Sequence, residues 1–479
     1  MKETLERELK LDIGPGFRLP GLPGRPLAPR VFVSRYHDTP DYRLARQGIA
    51  LRCRTENRQH RWQLKLQRRS GRLELELPGL PSRPPDELLQ AFRIHTRDAP
   101  LVPVATLRTR RTGVLVRERG RPVAEVVLDS VAVLDGRKIK RRFREVEIEL
   151  VGSGDDEVLG RIAARLRESG ATPSEETPKV LRALGLDFSV EDKKPGPPAT
   201  PLEHVRAVMR TQLEGIRAHD PGTRLGTDSE ELHQMRVAAR RLRAVLRVAR
   251  PMFSPEPINA LREELAWLGR ALGGLRDLDV MRDHLRSQLG TLDPPDRGAG
   301  LGVLRRLEKE RVEARARLLV ELDSPRYFSL LDRIEATIAH PPVLDPDVSL
   351  ADVAARAFRK LRKTVNQLPE AAADADLHVV RIKAKRARYS AELSVPEAGP
   401  PAERFVDRVK RLQDILGEHQ DAAVAEKWLR ETAIEASGRR TGFVSGLLVE
   451  RQRARRLAAR AAFEEHWPEV QRRGRRVWQ

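Results

Sequence analysis

Charge alternates with a period of two through the first 150 residues, and the signs come in blocks. Glu6, Glu8, Lys10 and Asp12 share one side of a segment whose other side carries Leu5, Arg7, Leu9 and Leu11. Arg52 and Arg54 oppose Leu51 and Cys53, and Glu74 and Glu76 oppose Leu73, Leu75 and Leu77. Arg108 and Arg110 form another same-face pair. Glu125 and Asp129 face away from Ala124, Val126 and Leu128, and Glu145, Glu147 and Glu149 oppose Val146, Ile148 and Leu150. Like charges two residues apart on a strand repel unless an opposite charge lies between them. A divalent cation among the carboxylates and a polyanion among the arginines would relieve both repulsions. Oxygen ligands of this kind suit a hard cation such as Mg²⁺ or Mn²⁺.

Strands must position such faces. Period-two segments run at 5–13, 31–36, 49–55, 61–67, 72–77, 104–112, 113–118, 123–132 and 138–150, divided by Gly/Pro turns. Short helices are predicted at 85–92, 157–168 and 179–184. With charge inside and the apolar side covered by helices, the expectation is an antiparallel barrel or strongly curved sheet. Residues 191–201, EDKKPGPPATP, read as an extended linker. From Leu202 the period is helical, punctuated at Pro251, Pro294-Pro295, Pro341-Pro342 and the prolines between 396 and 401. The expected fold class is α+β multidomain, with domains at 1–190 and 202–479.

The helical half repeats itself. The stretch from His233 to Arg243, HQMRVAARRLR, aligns with His378 to Arg388, HVVRIKAKRAR, at an offset of 145. Leu272 to Asp277, LGGLRD, aligns with Leu416 to Asp421, LGEHQD, at an offset of 144. At about 100° per residue, His233, Arg236, Arg240, Arg243 and Arg247 fall in one arc, and His378, Arg381, Lys385 and Arg388 repeat those positions. Neither stripe contains an acid, whereas a solvated helix normally mixes signs at this spacing. The pair predicts a polyanion-binding surface, extended by Arg206, Arg210, Arg359, Lys360 and Lys363. Neither histidine has metal-ligand spacing. The segment 451–476 mixes its bases with Glu464, Glu465 and Glu469 and reads as an ordinary charged helix.

Composition narrows the partner. A net charge of +21 points to an anionic ligand. Aromatics at 4% are too few for the stacking platforms of single-strand nucleic-acid binders. The one cysteine, Cys53, excludes an intrachain disulfide and a cysteine zinc cluster. No apolar run approaches the roughly 20 residues that span a bilayer, and no signal-peptide core opens the sequence. The expected address is the cytoplasm.

In order, Glu6-x-Glu8-x-Lys10, Tyr36-His37-Asp38-Thr39-Pro40-Asp41, Arg43-Leu44, the run from Gly48 to Arg54, Trp62-Gln63-Leu64-Lys65 and Arg72 to Glu76 follow one another. The Arg108/Arg110 pair, Asp129, Glu145 to Glu149 and Lys179 complete the series, which resembles the CYTH family of triphosphate tunnel metalloenzymes over 1–190. The resemblance implies an eight-stranded antiparallel tunnel that binds a linear triphosphate and one or two divalent ions, Mg²⁺ or Mn²⁺. It implies metal ligands among Glu6, Glu8, Asp129, Glu145, Glu147 and Glu149, and phosphate clamps at Lys10, Arg52, Arg54, Lys65, Arg108, Arg110 and Lys179. Glu6, Glu8 and Lys10 are the implied catalytic set. One departure stands out: the family commonly places Thr-x-Lys five residues after its tryptophan, whereas Lys65 follows Trp62 by three and Gln67 holds the later position.

The helical half resembles the CHAD domain, the conserved-histidine α-helical domain often fused to CYTH. That resemblance implies two pseudo-symmetric helical bundles with a basic central surface for inorganic polyphosphate. The expected function is metal-dependent hydrolysis of triphosphate or short polyphosphate in the tunnel, with the helical half docking long chains. Association with polyphosphate granules follows from it. Alternatives are a non-catalytic polyphosphate-binding or targeting protein, a tunnel enzyme acting on a nucleoside or thiamine triphosphate, and nucleic-acid binding driven by net charge.

Overall fold

The period-two segments fold as strands in a computed structural model that describes residues 2–68, 71–174, 179–186, 200–435 and 438–478. Side chains are described for these residues apart from 2–6, 67–68, 71–72 and 435. The chain divides into two units, Met1–Lys194 and Pro195–Gln479. Most of the expected linker lies outside the described residues.

The first unit contains β1 (Lys2–Glu6), β2 (Glu8–Asp12), β3 (Gly24–Asp38), α1 (Arg43–Arg46), β4 (Ala50–Glu56), β5 (Gln59–Arg68) and β6 (Gly71–Pro78). It continues with α2 (Asp86–Thr96), β7 (Val102–Glu118), β8 (Arg121–Asp135), β9 (Lys138–Leu150), α3 (Asp156–Glu168), β10 (Thr172–Pro173) and α4 (Lys179–Leu184). The strands form one antiparallel sheet in the order β1-β6-β5-β4-β3-β7-β8-β9-β2-β10.

Ten strands replace the expected eight. The first segment breaks at Arg7 into β1 and β2, and β10 adds a two-residue edge. In the other direction, 104–112 and 113–118 are one strand. Gly113 marks no turn there; a Cβ would lie 2.4 Å from the Val126 carbonyl oxygen, so glycine serves a close approach between strands. The hydrogen-bonded ladder does not close. Strand β1, at one end, is linked through the chain to β2, next to the other end, with only Arg7 between them.

The apolar side of β2, β8 and β9 buries Leu11, Val126, Val146 and Ile148 under Val158, Ile162 and Leu166 of α3. The Asp155 carboxylate caps that helix by accepting from the Val158 N–H. The short helix α4 lies on the opposite side of the sheet. Its Val180 and Leu181 pack on Tyr36, Leu107, Val131 and Val133, positions that alternate in step with Arg111 and Asp129.

The second unit is helical: α5 (Pro201–Leu225), α6 (Ser229–Val248), α7 (Pro255–Gly290), α8 (Pro294–Leu322), α9 (Pro325–Ala339), α10 (Leu350–Asn366), α11 (Asp374–Ala398), α12 (Pro400–Glu435) and α13 (Arg439–Trp478). The duplication is visible in the starts. Helices α6, α7 and α8 begin 145 residues before α11, α12 and α13, and α7 and α12 both span 36 residues. Helices α10 to α13 share a core around Phe358, Phe405, Leu412 and Phe463, and α7, α8, α12 and α13 meet at Leu285, Leu307, Leu429 and Leu448. No helix among the described residues is long and apolar enough to cross a membrane.

Candidate functional sites

Strand register brings the charges of the first unit onto one cavity of ≈ 240 Å³. Glu8 of β2 stands opposite Glu149 of β9, which stands opposite Glu125 of β8. Two same-face rows on, Glu145, Asp129, Arg111 and Arg30 follow one another across β9, β8, β7 and β3. Arg52 and Arg54 of β4, with Lys65 of β5, supply a cationic wall. The alternation seen in sequence thus becomes acids on β2, β8 and β9 facing bases on β3, β4, β5 and β7, with Glu74 and Glu76 of β6 set beside the basic side.

The deep end of the cavity is a charge network. Asp129 is fully buried and takes two bonds from Arg111, Nε to Oδ1 at 2.8 Å and Nη2 to Oδ2 at 2.7 Å. Arg111 Nη2 also donates to Glu147 Oε2 at 2.8 Å. Lys179, set by the packing of α4, holds its Nζ 2.6 Å from Asp129, 2.7 Å from Glu145 and 3.3 Å from Glu147. Lys10 Nζ lies 3.3 Å from Glu8 and 3.4 Å from Glu147. Burial opposes ionisation of Asp129, but Lys179 and Arg111 prevail and hold its carboxyl well below the usual carboxylate range.

Toward the acidic row the balance reverses. Burial pushes the Glu149 carboxyl up; Lys65 pulls it back, while Glu125, Glu8 and Glu147 add to the rise. Across the cavity Arg52 donates to Gln63 Oε1 at 2.8 Å and to the Tyr36 hydroxyl at 3.2 Å. Burial, followed by repulsion from Arg52, pulls the Arg54 guanidinium down to about 10 against the attraction of Glu56. Its Nε is buried without a hydrogen-bond partner, and its guanidinium carbon lies 3.6 Å from the centre of the Phe32 ring. Its Nη2 donates to Glu56 Oε2 at 3.1 Å, so one end of the guanidinium is paired and the Nε edge is not.

In the helical unit the two His-led stripes meet. His233, Arg236 and Arg240 of α6, and His378, Arg381, Lys385 and Arg388 of α11, line a cavity of ≈ 640 Å³. Within it Arg236 Nη1 donates to Asp277 Oδ1 at 2.9 Å, His378 Nδ1 lies 2.9 Å from Gln420 Oε1, and Arg240 Nε donates to the Tyr389 hydroxyl at 3.2 Å. Burial, then repulsion from Arg381, Arg240, Arg236 and Arg388, pulls Lys385 down to about 7. Buried Nε atoms of Arg276, Arg381 and Arg388 have no hydrogen-bond partner.

The CYTH domain family matches residues 5–177 and the CHAD domain family matches residues 207–430. Two uncharacterized proteins of Mycobacterium tuberculosis, from strains CDC 1551 / Oshkosh and ATCC 25618 / H37Rv, are 31% identical over 456 residues, spanning 87% of this chain and 85% of each relative. The chain belongs to the CYTH–CHAD family. Among solved structures it is similar to PptA from Streptomyces chartreusis, at 22% identity and TM-score 0.49 over 56% of this chain and 100% of that one. It is also similar to the CHAD domain from the plant Ricinus communis, at 27% identity and TM-score 0.47 over 56% and 91%. The CYTH family includes triphosphatases and adenylyl cyclases.

The CYTH unit brings together most of the residues singled out by sequence. Glu8, Lys10, Arg52, Arg54, Lys65, Glu147, Glu149 and Lys179 line the cavity, and Asp129 and Glu145 meet it at Lys179. Lys65 reaches the wall from its shifted position, with Nζ 2.9 Å from Glu74 Oε2. The Glu6 side chain lies outside the described residues. Arg108 and Arg110 require correction: both are exposed on the opposite face, and Arg111 is the β7 cation inside. Their shared face is legible from period two; which side is inside is fixed by pairing with Asp129, because β7 carries charge on both sides. Glu125 and Arg30 were also missed as site residues. The Tyr36-to-Asp41 motif has a structural role, since the Asp38 carboxylate accepts from the backbone N–H groups of Thr39, Leu44 and Ala45 at 2.7–2.9 Å.

The CHAD unit adds its own corrections. Arg243 and Arg247 line an adjoining cavity of ≈ 660 Å³ with Lys360, sharing Arg240 and Lys385 with the first. Arg206 serves α9, donating to the Ile338 and Ala339 carbonyls. The segment 451–476 is not merely a charged helix: its Arg455 lines the groove and bonds Glu418 and His284. Arg276 was missed although it belongs to the repeated LGGLRD motif, a signal recognised only as repetition.

CYTH tunnel enzymes are metal dependent. Asp129, Glu145 and Glu147 each offer a carboxylate oxygen, all within 4.8 Å of one another, a donor set that fits a hard divalent ion. In this structure Lys179 and Arg111 are paired with that trio.

Proposed function

We propose that the CYTH tunnel hydrolyses inorganic triphosphate or the ends of short polyphosphates, and that the CHAD groove binds longer polyphosphate chains. The observation that carries this reading is the division of one cavity into a carboxylate wall and a guanidinium wall. Hydrolysis of a phosphoanhydride needs its charge neutralised and a water held in line. Arg52, Arg54, Arg111 and Lys65 bind the phosphate oxygens, and Lys10 and Lys179 keep their carboxylate neighbours ordered. Glu8, Glu147 and Glu149, with Asp129 and Glu145 behind them, hold Mg²⁺ or Mn²⁺. The ion, when bound, supplies charge neutralisation and a more acidic water.

The test is phosphate release from triphosphate by the full-length protein. Release is expected with Mg²⁺ or Mn²⁺ and absent in chelator. Glu8→Gln and Glu147→Gln should each lower it by about 100-fold or more, the scale at which a preorganised electrostatic group contributes. Full activity in both variants would overturn the assignment.

One observation favours a second reading. Lys179 already occupies the carboxylate trio, as expected of a tunnel that grips phosphate without turning it over. Tight triphosphate binding with no release under any divalent ion would select that reading.

A further inference from the structure

The arginine pair that sequence assigns to the tunnel opens a different question once it is found outside. Arg108 and Arg110 project from β7, Arg142 projects from β9 in register with Arg108 across Ala132, and Arg35 of β3 lies on the same face. All four are exposed, and among the described residues none has an ion pair or hydrogen bond from its side chain. The facing positions between them on β3, β7 and β8 are Val31, Val33, Thr106, Ser130 and Ala132; none is acidic. Farther along β2, β8 and β9 this side of the sheet is apolar and covered by α3. Here Val31 is left 57% exposed beside the arginines.

Spacing makes the patch costly without a counter-ion. Arg108 and Arg110 are two residues apart on one strand, about 7 Å, and Arg108 and Arg142 are two strands apart, about 10 Å. Like charges at these separations repel. Arg144, next along β9 on the same side, shows the alternative, since its guanidinium is spent on the carbonyls of Gly14, Pro15 and Phe17. The four free guanidinium groups have no such internal acceptor. They present forks suited to phosphate oxygens; the nearest ring in register, Trp62 across Cys53 from Arg35, is buried and cannot stack a base.

The geometry points to this outer face as a second polyphosphate-binding surface, separate from the tunnel and from the CHAD groove. The inference rests on the reading of polyphosphate as the ligand of this chain. A linear phosphate chain brings one charge per phosphate and bends freely, so a short stretch can neutralise all four arginines.

The test uses the full chain, long-chain inorganic polyphosphate and triphosphate as probes, and duplex DNA as a competitor. In a background of Arg236→Ala/Arg381→Ala, which weakens the groove, adding Arg108→Ala/Arg110→Ala/Arg142→Ala should lower polyphosphate affinity by a further tenfold or more. The slope of log affinity against log salt should fall by about two units. The triple variant alone should bind triphosphate like the wild type, and the corresponding triple Arg→Lys variant should retain polyphosphate. Three results would overturn the inference: no further loss in the combined variant, loss of triphosphate binding in the triple variant, or loss of duplex DNA binding with polyphosphate binding intact. If the groove substitutions alone cost nothing while the outer ones do, the groove reading fails and this surface stands.

Discussion

At the scale of single residues, the side of the strand decides the chemistry. Arg111→Ala should abolish triphosphate turnover, because it removes a cation that binds Asp129 and Glu147 together. Arg108→Ala and Arg110→Ala should leave turnover within about twofold, as expected of exposed positions. Steady-state phosphate release distinguishes the two outcomes. The identity of the inward strand faces was readable where one side is apolar, as with Glu145, Glu147 and Glu149 against Val146 and Ile148. It was not readable on β7, where Arg108, Arg110 and Arg111 offer charge to both sides and only the partner strand breaks the tie.

Lys385 gives a second prediction at this scale. Its depressed value of about 7 means that it is largely neutral in the free groove above that pH. A phosphate chain favours the charged form, so binding takes up a proton above that pH; affinity should rise as pH falls toward about 7 and level off below it. Titration calorimetry in buffers of different ionisation enthalpy should show that uptake, and Lys385→Met should flatten the profile.

At the scale of elements, α4 carries the deep end of the tunnel. It was predicted at 179–184, and the structure gives Lys179–Leu184; sequence did not reveal that it sits on the charged side of the sheet. Its hold is Val180 and Leu181 on Tyr36, Leu107, Val131 and Val133. Leu181→Asp should therefore release Lys179 from its three carboxylates and lower both turnover and thermal stability, whereas exposed Arg165→Ala on α3 should change neither. Thermal unfolding and phosphate release together check this. The helical duplication was legible because two motifs kept one offset. The helix ends were less so: Pro396 reads as a break, yet α11 continues through it to Ala398, with packed neighbours outweighing the proline's local cost.

At the scale of the whole molecule, the proposed function gives the two units one class of ligand. If the CHAD groove delivers chains to the tunnel, Arg236→Ala/Arg381→Ala should slow phosphate release from long polyphosphate while leaving triphosphate turnover unchanged. Equal effects on both substrates would show the groove acting on the tunnel itself rather than through tethering.

The break at Arg7 has a consequence for how the tunnel comes into being. The first twelve residues bridge β6 and β9, and Glu8 pairs with Glu149, across most of the unit. A chain made from its N-terminus exposes this seam strand well before β9 exists to receive it. Contacts so distant in sequence form slowly. The carboxylates of β2 and β9 cannot meet until β9 has been made, so the tunnel chemistry proposed above needs nearly the full length of the unit.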